Sequence, residues 1–537
     1  MKKRKIIILV VCILSILVGC ITMYYPNSKE NSRNFSYVRA KEDLKVISKE
    51  PHSTLFHQKA LKDVRQYLFN ELKELNMNPK IFSYKNIKND KGQTADLSNI
   101  YGKIDGKNGE NGSYILLVAH YDSAGTNPQN TGGYSFGASD DGYGVATILK
   151  TLRSIRNSGK TLENGIKVLI TDGEEMHLIG SREEFNNNFS LYRNVSYVIN
   201  LEARGTSGPA IMFQTSEKND RVLDLYKKAK YPITTSLITD LYKDSGRSDF
   251  LNIKKKGLAG INLTTLDKVE YYHTPQDSYK NISDKSFMHY EEQVLPIVDE
   301  FIYSDKYNDP NYFKQGNDSI FFTILPNVIL DYSVNLGRIL GIIVIIASIG
   351  IMIYNKDKLK GTLKSVAKNL IHIIVVTILG LIISFGLATV WRVNFTLNHM
   401  GKVPGDDILV IVLPIVLLGF MFKIEMKEKD KVCENFLAGV LIQTILLCVL
   451  IICLPGVSYL TMIPLILTLF SLGIIRLTNN EKAKYTLLLT ISVMIILYIP
   501  LMNIFHMAFS ISSLPFIFLF LTIMKSLLFP TINKIIN

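Results

Sequence analysis

Apolar positions follow two regimes along this chain. From residue 26 to about 325 they recur singly or in short runs broken by charged and turn-forming residues. From about Val328 onward they form long runs that a water-exposed surface does not tolerate. Within the first regime, Leu61, Val64, Leu68, Leu72 and Leu75 recur at helical spacing. They predict a helix over about 54–75, with Ser53 as its cap. Short buried strands are predicted at 115–119, 166–170, 196–201 and 258–263. Helices are predicted at 144–155, 219–230 and 284–303, the last interrupted by Pro296. Strands alternating with helices predict an α/β domain with a mostly parallel sheet covered by helices on both faces. In such folds ligands bind beyond the carboxyl ends of the strands.

The long apolar runs predict membrane spans. Lys2, Lys3, Arg4 and Lys5 precede the run Ile6 to Tyr25, which reads as an uncleaved signal anchor over 1–25. Two alternatives stand beside it: a cleaved signal peptide, against which no A-x-A-like site ends the run, and a lipidated Cys20, since Leu17-Val18-Gly19-Cys20 resembles a lipoprotein processing box. Seven further spans are expected at about 333–354, 370–391, 407–423, 436–454, 458–475, 485–505 and 512–529, forming an all-α transmembrane domain over 328–537. Lys356, Lys358, Lys360, Lys364 and Lys368 follow the first of these spans. Lys423, Lys427, Lys429 and Lys431 follow the third, and Arg476, Lys482 and Lys484 the fifth. Lysine-rich loops stay in the cytoplasm, which places residues 26–327 on the extracytoplasmic side. A multi-pass protein of the cell membrane is the expected setting, with an endomembrane and a lumenal domain as the alternative. His372 and Gln443 are the notable polar side chains inside the spans, and no central Asp or Glu is found, so the bundle reads as an anchor or interaction platform.

Charge and cysteine content narrow the chemistry. The net charge is +13, but much of the lysine excess sits in loops between spans, and no arginine-rich stripe with interleaved aromatics points to nucleic acid. All five cysteines, Cys12, Cys20, Cys433, Cys448 and Cys453, lie in or beside apolar segments. A metal in the polar region must therefore be held by histidines and carboxylates.

Such residues follow the predicted strands: His120 and Asp122 after the first, Glu174 and Glu175 after the second, and Glu202 after the third. Asp140-Asp141 and Tyr272-His273 complete the set. Each block is weak evidence alone. In this order, at one edge of one sheet, they suit a site for two zinc ions that share one carboxylate. Chemistry alone leaves open which of Asp140 and Asp141 bridges.

These blocks resemble the M28 family of zinc metallopeptidases, and especially its membrane-bound, multi-span members. Gly173-Glu174-Glu175-Met176-His177-Leu178-Ile179-Gly180-Ser181 is similar to the family's G-E-E-x-x-x-x-G-S block. Gly246-Arg247-Ser248-Asp249-Phe250 is similar to its S-D block, and Tyr272-His273-Thr274-Pro275-Gln276-Asp277 to its Y-H-T-x-x-D block. The resemblance covers roughly residues 40–305 and implies a zinc aminopeptidase-like fold. It implies His120, Asp140, Glu175, Glu202 and His273 as ligands of two zinc ions, with Asp140 as the bridge. Glu202 stands where soluble members often have Asp, and matches the membrane-bound subgroup. Glu174 is implied as general base. Asp122 is expected to orient the His120 ring, and Asp141 and Asp249 to stand behind the ligands. Tyr272 is expected to donate to an oxyanion, and Arg247 to orient a substrate carbonyl or carboxylate, unless Tyr272 only packs and Arg247 pairs with Asp249. His52, His57, His177 and His289 fall outside the set.

The function expected is an exopeptidase, an aminopeptidase acting on short peptides. A carboxypeptidase, a glutaminyl cyclase-like enzyme and an inactive peptide-binding receptor are the alternatives.

Overall fold

The computed structural model describes residues 2–26, 37–125, 133–243, 247–393, 402–478 and 480–537. It divides into two compact units, Tyr25–Ile329 on the one hand and Met1–Tyr24 with Leu330–Asn537 on the other. Helix α1 (Lys2–Ile21) belongs to the second of these.

The first unit begins with α2 (Tyr37–Ile47) and α3 (Gln58–Glu74). Strands β1 (Lys80–Lys88), β2 (Thr94–Ile104) and β3 (Tyr114–His120) follow, then α4 (Gly142–Ser158), β4 (Gly165–Thr171) and α5 (Ile179–Asn187). Next come β5 (Val195–Leu201), β6 (Ile211–Thr215), α6 (Asp220–Tyr226), α7 (Ser236–Leu241) and α8 (Phe250–Lys255). Strand β7 (Gly260–Thr264) and α9 (Asp284–Tyr303) end this strand-and-helix series, and a separate two-stranded sheet over 319–333 follows it. The seven strands form one sheet in the order β1-β2-β4-β3-β5-β7-β6. Its centre, β4-β3-β5-β7, is parallel, and the flanking pairs are antiparallel.

Alternate residues of the central strands enter different cores, as the two-residue period of a strand requires. Ile115, Leu117 and Ala119 of β3 join the larger core with Leu44, Leu68, Leu149 and Val294 of α2, α3, α4 and α9. Leu116 and Val118 face the other way, against Phe185 of α5 and Phe250 and Ile253 of α8. Burial on both faces explains why β3, β4, β5 and β7 read as continuous apolar runs.

Three local expectations are corrected. Helix α3 starts at Gln58, not 54, because the Ser53 hydroxyl accepts the Phe56 amide at 3.2 Å and bonds the His57 ring at 2.9 Å, closing a turn instead of capping the helix. Helix α6 ends at Tyr226, four residues before the expected end. Pro296 does not interrupt α9, whose flanking Val294, Ile297 and Val298 are all held in the core.

In the second unit, α10 (Val334–Tyr354), α11 (Leu359–Val390), α12 (Asp406–Glu425) and α13 (Val432–Cys453) are followed by α14 (Tyr459–Thr478), α15 (Leu488–Phe509) and α16 (Leu514–Ile536). By length and apolar composition α1 and the α10–α14 helices are each long enough to cross a membrane, as is the stretch Glu481–Ile536 that holds α15 and α16. Many of their Ile and Phe side chains stand outward, such as Ile346 at 64% exposed and Ile415 at 62%. The polar content of the spans exceeds what their apolar runs suggest. Lys525, within the expected 512–529 span, is buried and donates to Asn369 at 2.9 Å, with Glu425 at 3.9 Å. Asn435 donates in turn to Glu425 at 3.0 Å and to Glu428 at 2.9 Å. A group of this kind satisfies itself by pairing inside an apolar bundle.

Candidate metal centre

Strand register assembles the site. His120 lies opposite Thr171, and Val118 opposite Asn200, so the carboxyl ends of β3, β4 and β5 align at one edge. The residues that leave those ends converge there. His120 Nε2 lies 3.2 Å from Asp140 Oδ1 and 3.9 Å from Glu202 Oε2. His273 Nε2 lies 3.2 Å from Asp140 Oδ2 and 2.9 Å from Glu175 Oε1. The two oxygens of Asp140 therefore face two different donor sets. Asp141 is used differently: its Oδ1 accepts the Gly144 amide at 3.0 Å as the cap of α4.

His120, Glu175 and Asp140 are held from behind. Asp122 Oδ1 accepts the Glu174 amide at 3.1 Å and Oδ2 the Glu175 amide at 3.2 Å. The Asp122 carbonyl meets His120 Nδ1 at 2.9 Å, which fixes the ring with Nε2 toward Asp140. Thr54 Oγ1 lies 3.2 Å from Asp122 Oδ2 and 2.7 Å from Asp172 Oδ1. Asp277 performs the same service for Asp140, accepting the Ser139 amide and hydroxyl, each at 2.7 Å, and the Asp140 amide at 3.3 Å. The loop after β4 turns so tightly that a Cβ on Gly180 would sit 1.7 Å from the Asp172 carbonyl oxygen.

Charge is concentrated here in buried side chains. Burial pushes Glu174 and Glu202 well above the usual carboxylate range, and Glu175 up to about 7. Burial opposes the charge of Asp140 too, but the His120 and His273 rings outweigh it and hold that carboxyl well below the usual range. Burial of the His273 ring lowers its pKa, but Glu175 and Asp140 outweigh that and hold it up at about 10. So many buried carboxylates around two imidazoles call for cations at their centre.

The donor set fits zinc. One ligand atom each of His120, Asp140 and Glu175 lie within 4.8 Å of one another. Asp140 Oδ2 and Glu175 Oε1 are buried without a hydrogen-bond partner among the described residues. Imidazole nitrogen and carboxylate oxygen, with no thiolate, suit a borderline divalent ion.

The remaining expected residues spread outward. Tyr272 lies flat on His273, with ring centroids 3.7 Å apart. Asp249 is buried and accepts the Thr171 hydroxyl, and no ion pair with Arg247 is found among the described residues. Arg247 is exposed, and its charge acts on His177, whose pKa burial, Lys91 and Arg247 together lower. Gly246, the first residue of its motif, lies outside the described residues. Thr54 and Arg204 escaped the sequence reading, and Asp172 and Asp277 were given no role in it. Asp277 carried a signal, since it ends the Tyr272 block, whereas Thr54 precedes the domain's first strand with no motif around it.

Residues 99–298 match the model of Peptidase family M28. This stretch of the chain is thus similar to the M28 peptidases. Among curated proteins it is similar to the vacuolar membrane protease of Lodderomyces elongisporus, 28% identical over 45% of this chain and 23% of that protein. It is also similar to the vacuolar membrane protease of Schizosaccharomyces pombe, 27% identical over 48% of this chain and 30% of that one. The chain thus spans under a third of the length of either relative. Among solved structures, the chain aligns with a zinc aminopeptidase from Bacillus subtilis at 15% identity and a TM-score of 0.40, covering 52% of this chain and 98% of that one. A glutaminyl cyclase from Porphyromonas gingivalis aligns at 18% and 0.41, covering 50% and 98%.

Proposed function

We propose that this chain is a membrane-anchored di-zinc exopeptidase that removes residues from the amino end of short peptides outside the cytoplasm. The observation that carries the reading is Asp140, one oxygen of which faces His120, with Glu202 beside that ring, and the other His273, with Glu175 beside that one. Those five residues would hold two zinc ions, with Asp140 between them. Zinc held there polarises a peptide carbonyl and acidifies water at neutral pH.

Glu174 is the proton carrier. It is buried beside the ligands, is itself outside the ligand set, and its backbone is fixed by Asp122. It accepts the proton of the attacking water and delivers it to the leaving amine. Tyr272, stacked on His273, would donate to the oxyanion that forms on the carbonyl. Arg247, exposed beside His177, serves the outer part of the substrate. Carboxylates around the centre receive the free amine of the peptide. The apolar helices of 328–537 hold the enzyme in the cell membrane, and the lysine-rich loops orient it with residues 26–327 outside.

The test uses full-length protein in detergent, supplied with zinc, and aminoacyl reporter peptides with free or acetylated amines. Free-amine substrates are cleaved, acetylated ones are refused, and Glu174→Gln lowers kcat about 100-fold or more. Equal cleavage of blocked substrates, release from the carboxyl end, or cyclisation of amino-terminal glutamine without hydrolysis contradicts the reading.

A further inference from the structure

Two residues beyond Glu202, at the end of β5, Arg204 occupies a position that the ligand set does not use. Its guanidinium carbon lies 5.9 Å from the centroid of the Tyr272 ring, which is itself stacked on His273. Arg204 is half-buried, whereas Arg247 is exposed.

The loop that bears Arg204 is firmly held. The Arg204 amide donates to the Thr265 carbonyl at 3.0 Å, and the Thr265 hydroxyl donates to the Gly205 carbonyl at 2.6 Å. A Cβ on Gly205 would lie 2.1 Å from the Asp267 carbonyl oxygen, so the chain approaches as closely there as glycine permits. A fixed backbone is what a recognition residue requires.

The centre it borders is lined by carboxylates, which repel an incoming carboxylate unless a cation meets it. An arginine presents a planar fork that matches carboxylate geometry with two parallel hydrogen bonds. We propose that Arg204 is a specificity-determining residue that receives a substrate carboxylate close to the scissile bond, so that the site selects very short or acidic peptides. This rests on the peptidase reading and names the substrate class of that same site. The carboxylate comes either from the peptide's own terminus, as in a dipeptide, or from an acidic side chain next to the cleaved bond.

The experiment compares two substrate pairs on the full-length, zinc-supplied protein: dialanine against its carboxy-terminal amide, and Ala-Asp amide against Ala-Asn amide. The wild type prefers the charged member of at least one pair. In Arg204→Gln that preference falls about tenfold, chiefly through KM, and Arg204→Lys retains part of it. Loss in the first pair assigns the terminal carboxylate, and loss in the second assigns the side chain. Binding of the same four ligands to Glu174→Gln, with and without Arg204→Gln, is measured by calorimetry and reads recognition without turnover. Discrimination in binding but no hydrolysis would remove the peptidase reading and leave Arg204 in place. No preference in the wild type, a preference unchanged in Arg204→Gln, or no binding of any ligand overturns the proposal.

Discussion

The amide of Glu174 donates to Asp122 Oδ1 at 3.1 Å, while the other oxygen of that carboxylate accepts the next amide, Glu175, at 3.2 Å. One buried carboxylate thus sets the position of the proposed base and of a proposed ligand, and its own carbonyl fixes the His120 ring. Asp122→Ala is expected to weaken zinc binding about 10- to 100-fold, as loss of a ligand-orienting group does elsewhere. Titration with a competing chelator measures this, and unchanged affinity would remove Asp122 from the site.

Thr54 is expected to act one step further out. Its hydroxyl lies between Asp122 and Asp172, both buried, and has a single proton to donate. Thr54→Val leaves the two carboxylates facing each other without that donor, and about a tenfold loss of zinc affinity is expected. Thr54→Ser restores it. If Ser and Val behave alike, the hydroxyl has no role and the side chain only fills space.

Arg153 on α4 makes a paired contact with Asp43, at 2.9 Å through Nη2, and reaches Glu71 at 2.5 Å. Its side chain is 8% exposed, so Arg153→Leu leaves two buried carboxylates with Arg39 as their remaining cation among the described residues and the Tyr67 hydroxyl donating to Asp43. A loss of about 3 kcal/mol in stability is expected. Pulse proteolysis of the full chain in urea measures it, and a loss near zero would mean that the cluster relaxes into water.

Lys525 is expected to couple to Glu425 inside the helical unit. Lys525→Met lowers the thermal midpoint in detergent, because Asn369 and Glu425 lose the ammonium between them. Adding Glu425→Gln recovers part of that loss, a non-additivity that marks a real pair. Strictly additive losses would show that the two residues act separately.

The contrast between what the sequence revealed and what it hid has physical causes. Strands β3, β4, β5 and β7 were legible because burial on both faces makes them unbroken apolar runs. Strands β1 and β2 were not, since β1 is the sheet edge, carries Lys80, Lys85 and Lys88, and buries little. The acidic and histidine blocks stood out because each follows a legible strand. Thr54 and Arg204 did not, because a hydroxyl or a guanidinium acquires meaning only from a partner far away in sequence, such as Asp172 for Thr54. Lys525 was hidden for the opposite reason: a single lysine hardly alters the mean hydropathy of a 23-residue helix.

The central claim is that Asp140 is shared by two zinc sites. Zinc per chain, measured by elemental analysis on the purified full-length protein and three variants, tests it most directly. The account predicts about two zinc per chain in the wild type, loss of one in Glu202→Ala, loss of one in Glu175→Ala, and loss of both in Asp140→Ala. One zinc or none in the wild type, or retention of one ion in Asp140→Ala, would contradict it.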